Sequence, residues 1–141
     1  MTATNTTETQ VLELIMTADA WANIADNAGT SPLTNLYISL HTADPGEAGS
    51  QTTSEAAYTN YARVAVARSG SGWTVTGDSC TNDAAITFPT CGVTGATITH
   101  FGIGSAVSGA GVLYFYGTAS LSVTNGVTPE FAAGALTVTA A

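Results

Sequence analysis

Leu36-Tyr37-Ile38-Ser39-Leu40-His41-Thr42-Ala43-Asp44-Pro45-Gly46-Glu47 is the stretch on which the fold turns. Leu36, Ile38 and Leu40 alternate with Tyr37, Ser39 and His41. A period of two belongs to a strand whose two faces meet different surroundings. Asp44-Pro45-Gly46-Glu47 then ends the strand. Proline presets φ at the second position of a turn and glycine takes the positive φ of the third, the pattern of a type II turn. Working outward, short runs of the same kind recur at Tyr61–Arg68, Gly72–Thr76, Ala84–Phe88, Thr97–Ile103, Val112–Tyr116, Ala119–Val123 and Ala135–Thr139. Glycine, asparagine, aspartate, serine and proline separate them, and Asn125-Gly126 reads as a two-residue hairpin. Strands so spaced predict a mainly β protein, an antiparallel β-sandwich or jelly-roll-like domain over residues 35–139.

The N-terminal segment has a different period. Val11, Leu14, Ile15, Ala18, Trp21, Ala22 and Ala25 follow the 3.6-residue repeat of a helix, predicted over residues 7–26. Thr7 and Gln10 have capping-box spacing, and Asn27-Ala28-Gly29 ends the pattern. The apolar face of Leu14, Ile15, Ala18 and Trp21 must be buried, on a sheet or on a neighbouring subunit. With 141 residues, 45% of them hydrophobic, and no sign of a second core, we expect one β-rich domain spanning 1–141. Its longest connection runs from Ala43 to Asn60, and loops of that length often carry binding.

Charge is scarce. Ten acids stand against two arginines with no lysine, for a formal net charge of −8. Nucleic-acid affinity needs several phosphates neutralised, and anionic membranes need a basic patch, so neither is expected as a partner. No uncharged apolar run approaches the length of a membrane span, and without lysine there is no P-loop. No basic segment leads into an apolar one at the start, so we expect no signal peptide and synthesis in the cytoplasm. Threonine, alanine and glycine instead suggest strands with hydroxyl-bearing outer faces, made for protein contact.

Catalytic chemistry finds little support. His41, Asp44 and Glu47 recur every third residue, but Pro45-Gly46 forbids the helix that would align them. The carboxylate comb of a calcium loop is missing, and His100 stands alone. Asp78, Asp83 and Glu130 read as surface solvation rather than a facing glycosidase pair. There is no G-x-S-x-G elbow, and Gly102-Ile103-Gly104 lacks the third glycine of a dinucleotide loop. We therefore assign no catalytic, cofactor-binding or metal-binding residue. Cys80 and Cys91 flank a predicted strand, which sets them roughly 20 Å apart if straight, beyond disulfide reach. Two free buried thiols are expected. An internal bridge would need the flanking loops to curl back, and a bridge between subunits is the other alternative.

Several segments in order resemble a family of small virion proteins of tailed bacteriophages. They are the stretch Leu36–Glu47, Tyr61-Ala62-Arg63-Val64-Ala65-Val66-Ala67-Arg68, Trp73-Thr74-Val75, Ala85-Ile86-Thr87-Phe88-Pro89, Thr99-His100-Phe101-Gly102-Ile103-Gly104, Gly109-Ala110-Gly111 and Leu121–Pro129. These proteins are often labelled tail fibre proteins, and in size and β-rich character they are similar to capsid decoration, or cement, proteins. The chain departs from the family's usual pattern at Cys80 and Cys91 and in the aromatic run Leu113-Tyr114-Phe115-Tyr116. The resemblance implies a non-enzymatic virion structural protein without cofactors, made in the bacterial host. The leading expectation is a decoration protein on the capsid exterior that binds and stabilises the shell of major capsid protein. The alternative is a tail-associated fibre or adhesin component that contacts the host surface. Self-association as a homo-oligomer is expected in either role.

The candidate interface residues are Leu14, Ile15 and Trp21 on the helix, Arg63 and Arg68, and Tyr114 and Tyr116. Arg63 and Arg68 lie five apart on one predicted strand, hence on opposite faces, and each is expected to find a carboxylate within the subunit or across an interface. Tyr114 and Tyr116 alternate with Leu113 and Phe115, so one pair can meet a partner. A sugar-binding platform is the competing reading of these aromatics.

Overall fold

The computed structural model describes residues 4–21 and 32–140. In chain order the elements are helix α1 (Asn5–Leu12), a π-helical turn (Glu13–Thr17), and strands β1 (Asn35–His41), β2 (Val64–Ala67), β3 (Trp73–Thr76), β4 (Ser79–Asn82), β5 (Ile86–Thr87), β6 (Ala96–Gly104), β7 (Leu113–Val123), β8 (Glu130–Phe131) and β9 (Thr137–Thr139). The strands form a four-stranded sheet in the order β2-β1-β6-β7, a three-stranded sheet β3-β4-β9 and the pair β5-β8. The protein is mainly β, with antiparallel sheets and one N-terminal helix, as the alternating runs predict. Its residues group into two compact units, each assembled from separated stretches of chain: Met1–Asn35, Ala67–Ala85 and Phe131–Ala141 in one, Leu36–Val66 and Ile86–Glu130 in the other.

In the first unit, α1 packs on the β3–β4 hairpin, and Thr9 Oγ1 donates to the Gly77 carbonyl. The helix is shorter than the predicted 7–26 and starts earlier. Thr4, not Thr7, is its N-cap, accepting from Thr7 N at 3.4 Å. Gln10, expected to reach back to the cap, points forward to Glu13. At the other end the ladder widens into the π turn and closes at Ala18, which has φ 63°. Ala18 N–H and Asp19 N–H both reach the Glu13 carbonyl, a closure that stops helix propagation. Trp21 therefore sits in an isolated bridge rather than on a helix, and Ala22, Ala25 and the predicted stop at 27–29 fall outside the described residues. The extra residue of a π turn also rotates the buried face. Leu12 and Met16 are fully buried, whereas the predicted anchors Leu14, Ile15 and Trp21 are half-buried.

Arg68 completes the helix end. Its guanidinium donates to the Ile15 carbonyl at 2.7 Å, to the Leu14 carbonyl, and to the Leu33 carbonyl at 3.1 Å. A helix C-terminus leaves carbonyls without partners and carries partial negative charge, so a cation with several donors answers both needs. The expected carboxylate is replaced by backbone. Strand β2 also stops short of both arginines, which flank it instead of occupying its opposite faces.

Strand β4 lies outside the alternating runs of the sequence. Thr76 pairs with Ser79 across Gly77-Asp78, with Gly77 at φ 63°, so this is a two-residue hairpin with glycine at its first central position. Asn82 then ties the closing segment of the unit. Its side chain donates to the Ala84 and Ala132 carbonyls at 2.8 and 2.9 Å and accepts from Leu136 N at 2.9 Å. Cys80 is buried opposite Val138, in the unit whose buried residues include Trp73 and Leu136. Burial, assisted by the Asp83 charge, pushes its thiol up to about 12. Cys80 and Cys91 are both free and buried.

In the second unit, β1 and β6 pair antiparallel from Tyr37 opposite Gly104 to His41 opposite His100. The runs expected at 112–116 and 119–123 form one strand, β7, paired with β6. Gly117 does not break it, because it faces the Phe101 ring, where a Cβ would come within 2.8 Å. The register shifts twice along β7, and one shift takes Tyr114 out of the ladder. Leu113 stands opposite Gly104 and Tyr116 opposite Gly102, while exposure still alternates along the strand, with Leu113 and Phe115 half-buried and Tyr114 and Tyr116 exposed. Asn125-Gly126 is a turn, closed by Val127 N to Thr124 O at 2.9 Å, but not a hairpin. Only Gly126 of the two has positive φ, whereas the tight hairpin type needs it at both, and the chain goes on to bond with Cys91.

The Arg68 cap leads to a stability prediction. Arg68→Met should cost about 2–3 kcal/mol in urea unfolding, since hydrogen bonds from charged groups are worth about 1.5–3 kcal/mol. Arg68→Lys should recover less than half, because a point charge cannot bridge three carbonyls.

Candidate functional site

The long connection after β1 does not stray far. Thr42 N bonds Ser54 O at 2.8 Å, Ala56 N bonds Leu40 O at 2.8 Å, and Glu55 bridges to His41, so residues 54–56 lie back along the end of β1. Asp44 Oδ1 accepts from Gly46 N at 2.8 Å, fixing the expected turn with a side chain. This return brings Glu55 beside Arg63.

Arg63 is the centre of the arrangement. Nε and Nη2 bind the two Glu55 oxygens at 2.7 and 2.8 Å, a bidentate pair. Nη1 donates to Ala106 O at 2.8 Å and Nη2 to Gly109 O at 2.7 Å, which pins loop 105–112 between β6 and β7. The Arg63 side chain is 3% exposed and that of Glu55 17%. The Glu55 contact raises the Arg63 pKa further above its usual value. Tyr61 joins them: its hydroxyl donates to Glu55 Oε1 at 2.9 Å and accepts from Leu40 N at 3.0 Å, and burial drives its pKa well above the usual phenol range. Gln51, also fully buried, accepts from Ala106 N at 2.9 Å through Oε1 and donates to Tyr37 O at 3.4 Å through Nε2. Its own N–H bonds Ala110 O at 2.9 Å. A cleft of about 270 Å³ opens above, lined by Glu55, Tyr61, Arg63, Val107, Ser108 and Gly109.

Ser39 and His41 form a second polar pair, with Ser39 Oγ 2.8 Å from His41 Nε2. A hydroxyl beside an imidazole is the geometry of an activated nucleophile. Both residues are fully buried, however, and a Cβ on Gly102 would fall 2.7 Å from Ser39 Oγ and 2.8 Å from His41 Nε2. The pair lies behind backbone, where a substrate cannot reach it, and its hydrogen bonds serve the packing.

The expected interface residues thus occupy different places. Arg63 is internal, with the carboxylate partner expected of it. Arg68 is engaged by backbone in the other unit. Leu14 and Ile15 offer their carbonyls to Arg68 while their side chains stay half-buried. Tyr114 and Tyr116 remain 39% and 37% exposed along β7. Val107 and Val112 on the pinned loop are exposed too. Glu55, Tyr61, Gln51 and Ser39 were not foreseen as partners. The Tyr61-Ala62-Arg63 sequence pointed to the neighbourhood, but the matching carboxylate comes from inside a loop. Among the described residues no group of His, Cys, Asp and Glu is placed to hold a metal, and no helix is long and apolar enough to cross a membrane.

Over residues 2–139 the chain matches the family described as Podophage GP4 fiber I protein gp80, and it belongs to that family. It is thus a bacteriophage virion structural protein. No protein with a curated description matches it.

The Arg63–Glu55 pair leads to a test of what supports the loops. Arg63→Met should cost about 3 kcal/mol in denaturant unfolding, because Glu55 is left partly buried and unpaired. The double variant Arg63→Met/Glu55→Gln should regain part of that loss, as the orphaned charge is gone.

Proposed function

We propose that this chain is a fibre component of the phage tail, acting through protein contacts and without enzymatic activity. The observation that carries the reading is membership of a fibre protein family across nearly the whole chain. The surface is compatible with it. Both cations of the sequence are engaged internally, leaving acids, hydroxyls and the tyrosines of β7 to meet a partner. Homo-oligomerisation is part of the proposal, with Tyr114 and Tyr116 the interface candidates that stay accessible. The buried Ser39–His41 pair supports the non-enzymatic reading, since its hydroxyl has no path to a substrate.

The order of the two roles expected from the sequence is therefore reversed. Capsid decoration, with major capsid protein as partner, stands second. It is favoured by short strands without the long repetitive stretches common in fibres. Copy number and position separate the two. Densitometry of purified virions should give a few to dozens of copies per particle, with labelled antibody confined to the tail. Hundreds of copies with label over the shell would establish decoration instead.

A further inference from the structure

We propose that His41 is an acid-sensitive latch: its neutral imidazole holds loop 42–55 against the end of β1, and a second proton on the ring releases that loop. Nδ1 lies 2.8 Å from Thr53 O, and a carbonyl can only accept, so Nδ1 carries the hydrogen. Nε2 then accepts from Ser39 Oγ at 2.8 Å. The neutral ring satisfies both of its nitrogens and the buried hydroxyl at once.

A second proton upsets this arrangement. It must sit on Nε2, so Ser39 has to accept where it now donates, and its own hydrogen needs a new acceptor away from water. The charged groups around the ring give limited help. Glu55 bridges to His41, but its oxygens are taken by Arg63 and by the Tyr61 hydroxyl. Arg63 brings a positive charge, and His100 on β6 stands directly opposite His41. Burial already holds the His41 pKa below its usual value, with Arg63 and His100 lowering it further against the raising effects of the Thr53 carbonyl and Glu55.

The proton is better accommodated once the loop lifts and the ring meets water. Lifting breaks the Nδ1–Thr53 bond together with the Thr42–Ser54 and Ala56–Leu40 backbone bonds, and it draws Glu55, at the loop's end, away from Arg63. Gln51 rides on the same loop, so its contacts with Ala106 and Ala110 loosen as well. The sign follows from the lowered pKa of the closed state. The latch is fully effective above the open-state value of about 6.5 and weakens as pH falls below it. With that open-state value, the open population rises by up to about tenfold from pH 7.5 to 5.5, a window above the ordinary carboxylate range.

Amide hydrogen exchange on the full chain tests the latch, with protection corrected for the intrinsic pH dependence of exchange. Thr42, Gln51 and Ala56 should lose protection, by up to about tenfold, between pH 7.5 and 5.5, while Asp83, bonded to Gly72 O beside the β3–β4 hairpin, should hold steady. His41→Asn keeps a donor near Nδ1 but cannot titrate, and should abolish the pH dependence of the loop. Undiminished loop protection at pH 5.5 overturns the proposal, and so does an equal loss at Asp83 or the same loss in His41→Asn. If that variant does not fold, the comparison of loop and Asp83 amides in the unaltered protein decides alone.

Discussion

The second unit depends on one buried ion pair. Arg63 cannot lose its charge, and with its side chain almost out of water it must have partners for nearly every donor. Glu55 supplies two of them, and loop carbonyls at Ala106 and Gly109 supply others. Because those partners come from stretches far apart in sequence, satisfying one guanidinium fixes two loops against the sheet. Hydrophobic burial could not do this alone. Loop 105–112 is made of glycine, alanine, serine and valine, and its valines at 107 and 112 are exposed.

The other arginine obeys the same constraint with different material. Arg68 meets the C-terminal end of the N-terminal helix, where the π turn presents the Leu14 and Ile15 carbonyls. In a chain with a formal charge of −8, both cations are thus directed inward. Two consequences follow for an assembled particle. Both cations have donors committed to partners within the chain, although Arg68 stays partly exposed, and contacts between copies are easiest where acids are absent, as along β7.

Much of the architecture was legible because it rests on local rules. Alternation located β1, β3 and β6, whereas the turn expected at Asp44–Glu47 is held by the Asp44 side chain on Gly46 N and the backbone-closed turn falls at Gly46–Gly49. The errors have local causes too. The sequence predicts two strands where Gly117 lies within β7, because a glycine that packs on Phe101 looks like a break until its neighbour is known. Strand β4 was hidden by its polar run Ser79-Cys80-Thr81-Asn82, although Gly77-Asp78 carried a hairpin signal. The predicted helix is too long because an apolar period says nothing of a π turn that diverts it.

By itself, the sequence determined the β-rich class, the scarcity of positive charge and the resemblance to phage virion proteins. Each follows from composition, from a period along the chain, or from segments read in order. Tertiary structure alone decided which acid answers Arg63, that Arg68 needs none, and that Ser39 and His41 are closed off together. Such partnerships join residues up to 54 positions apart. They depend on burial, which removes water as a competing partner, and no pattern of neighbouring residues reports what will be buried beside what.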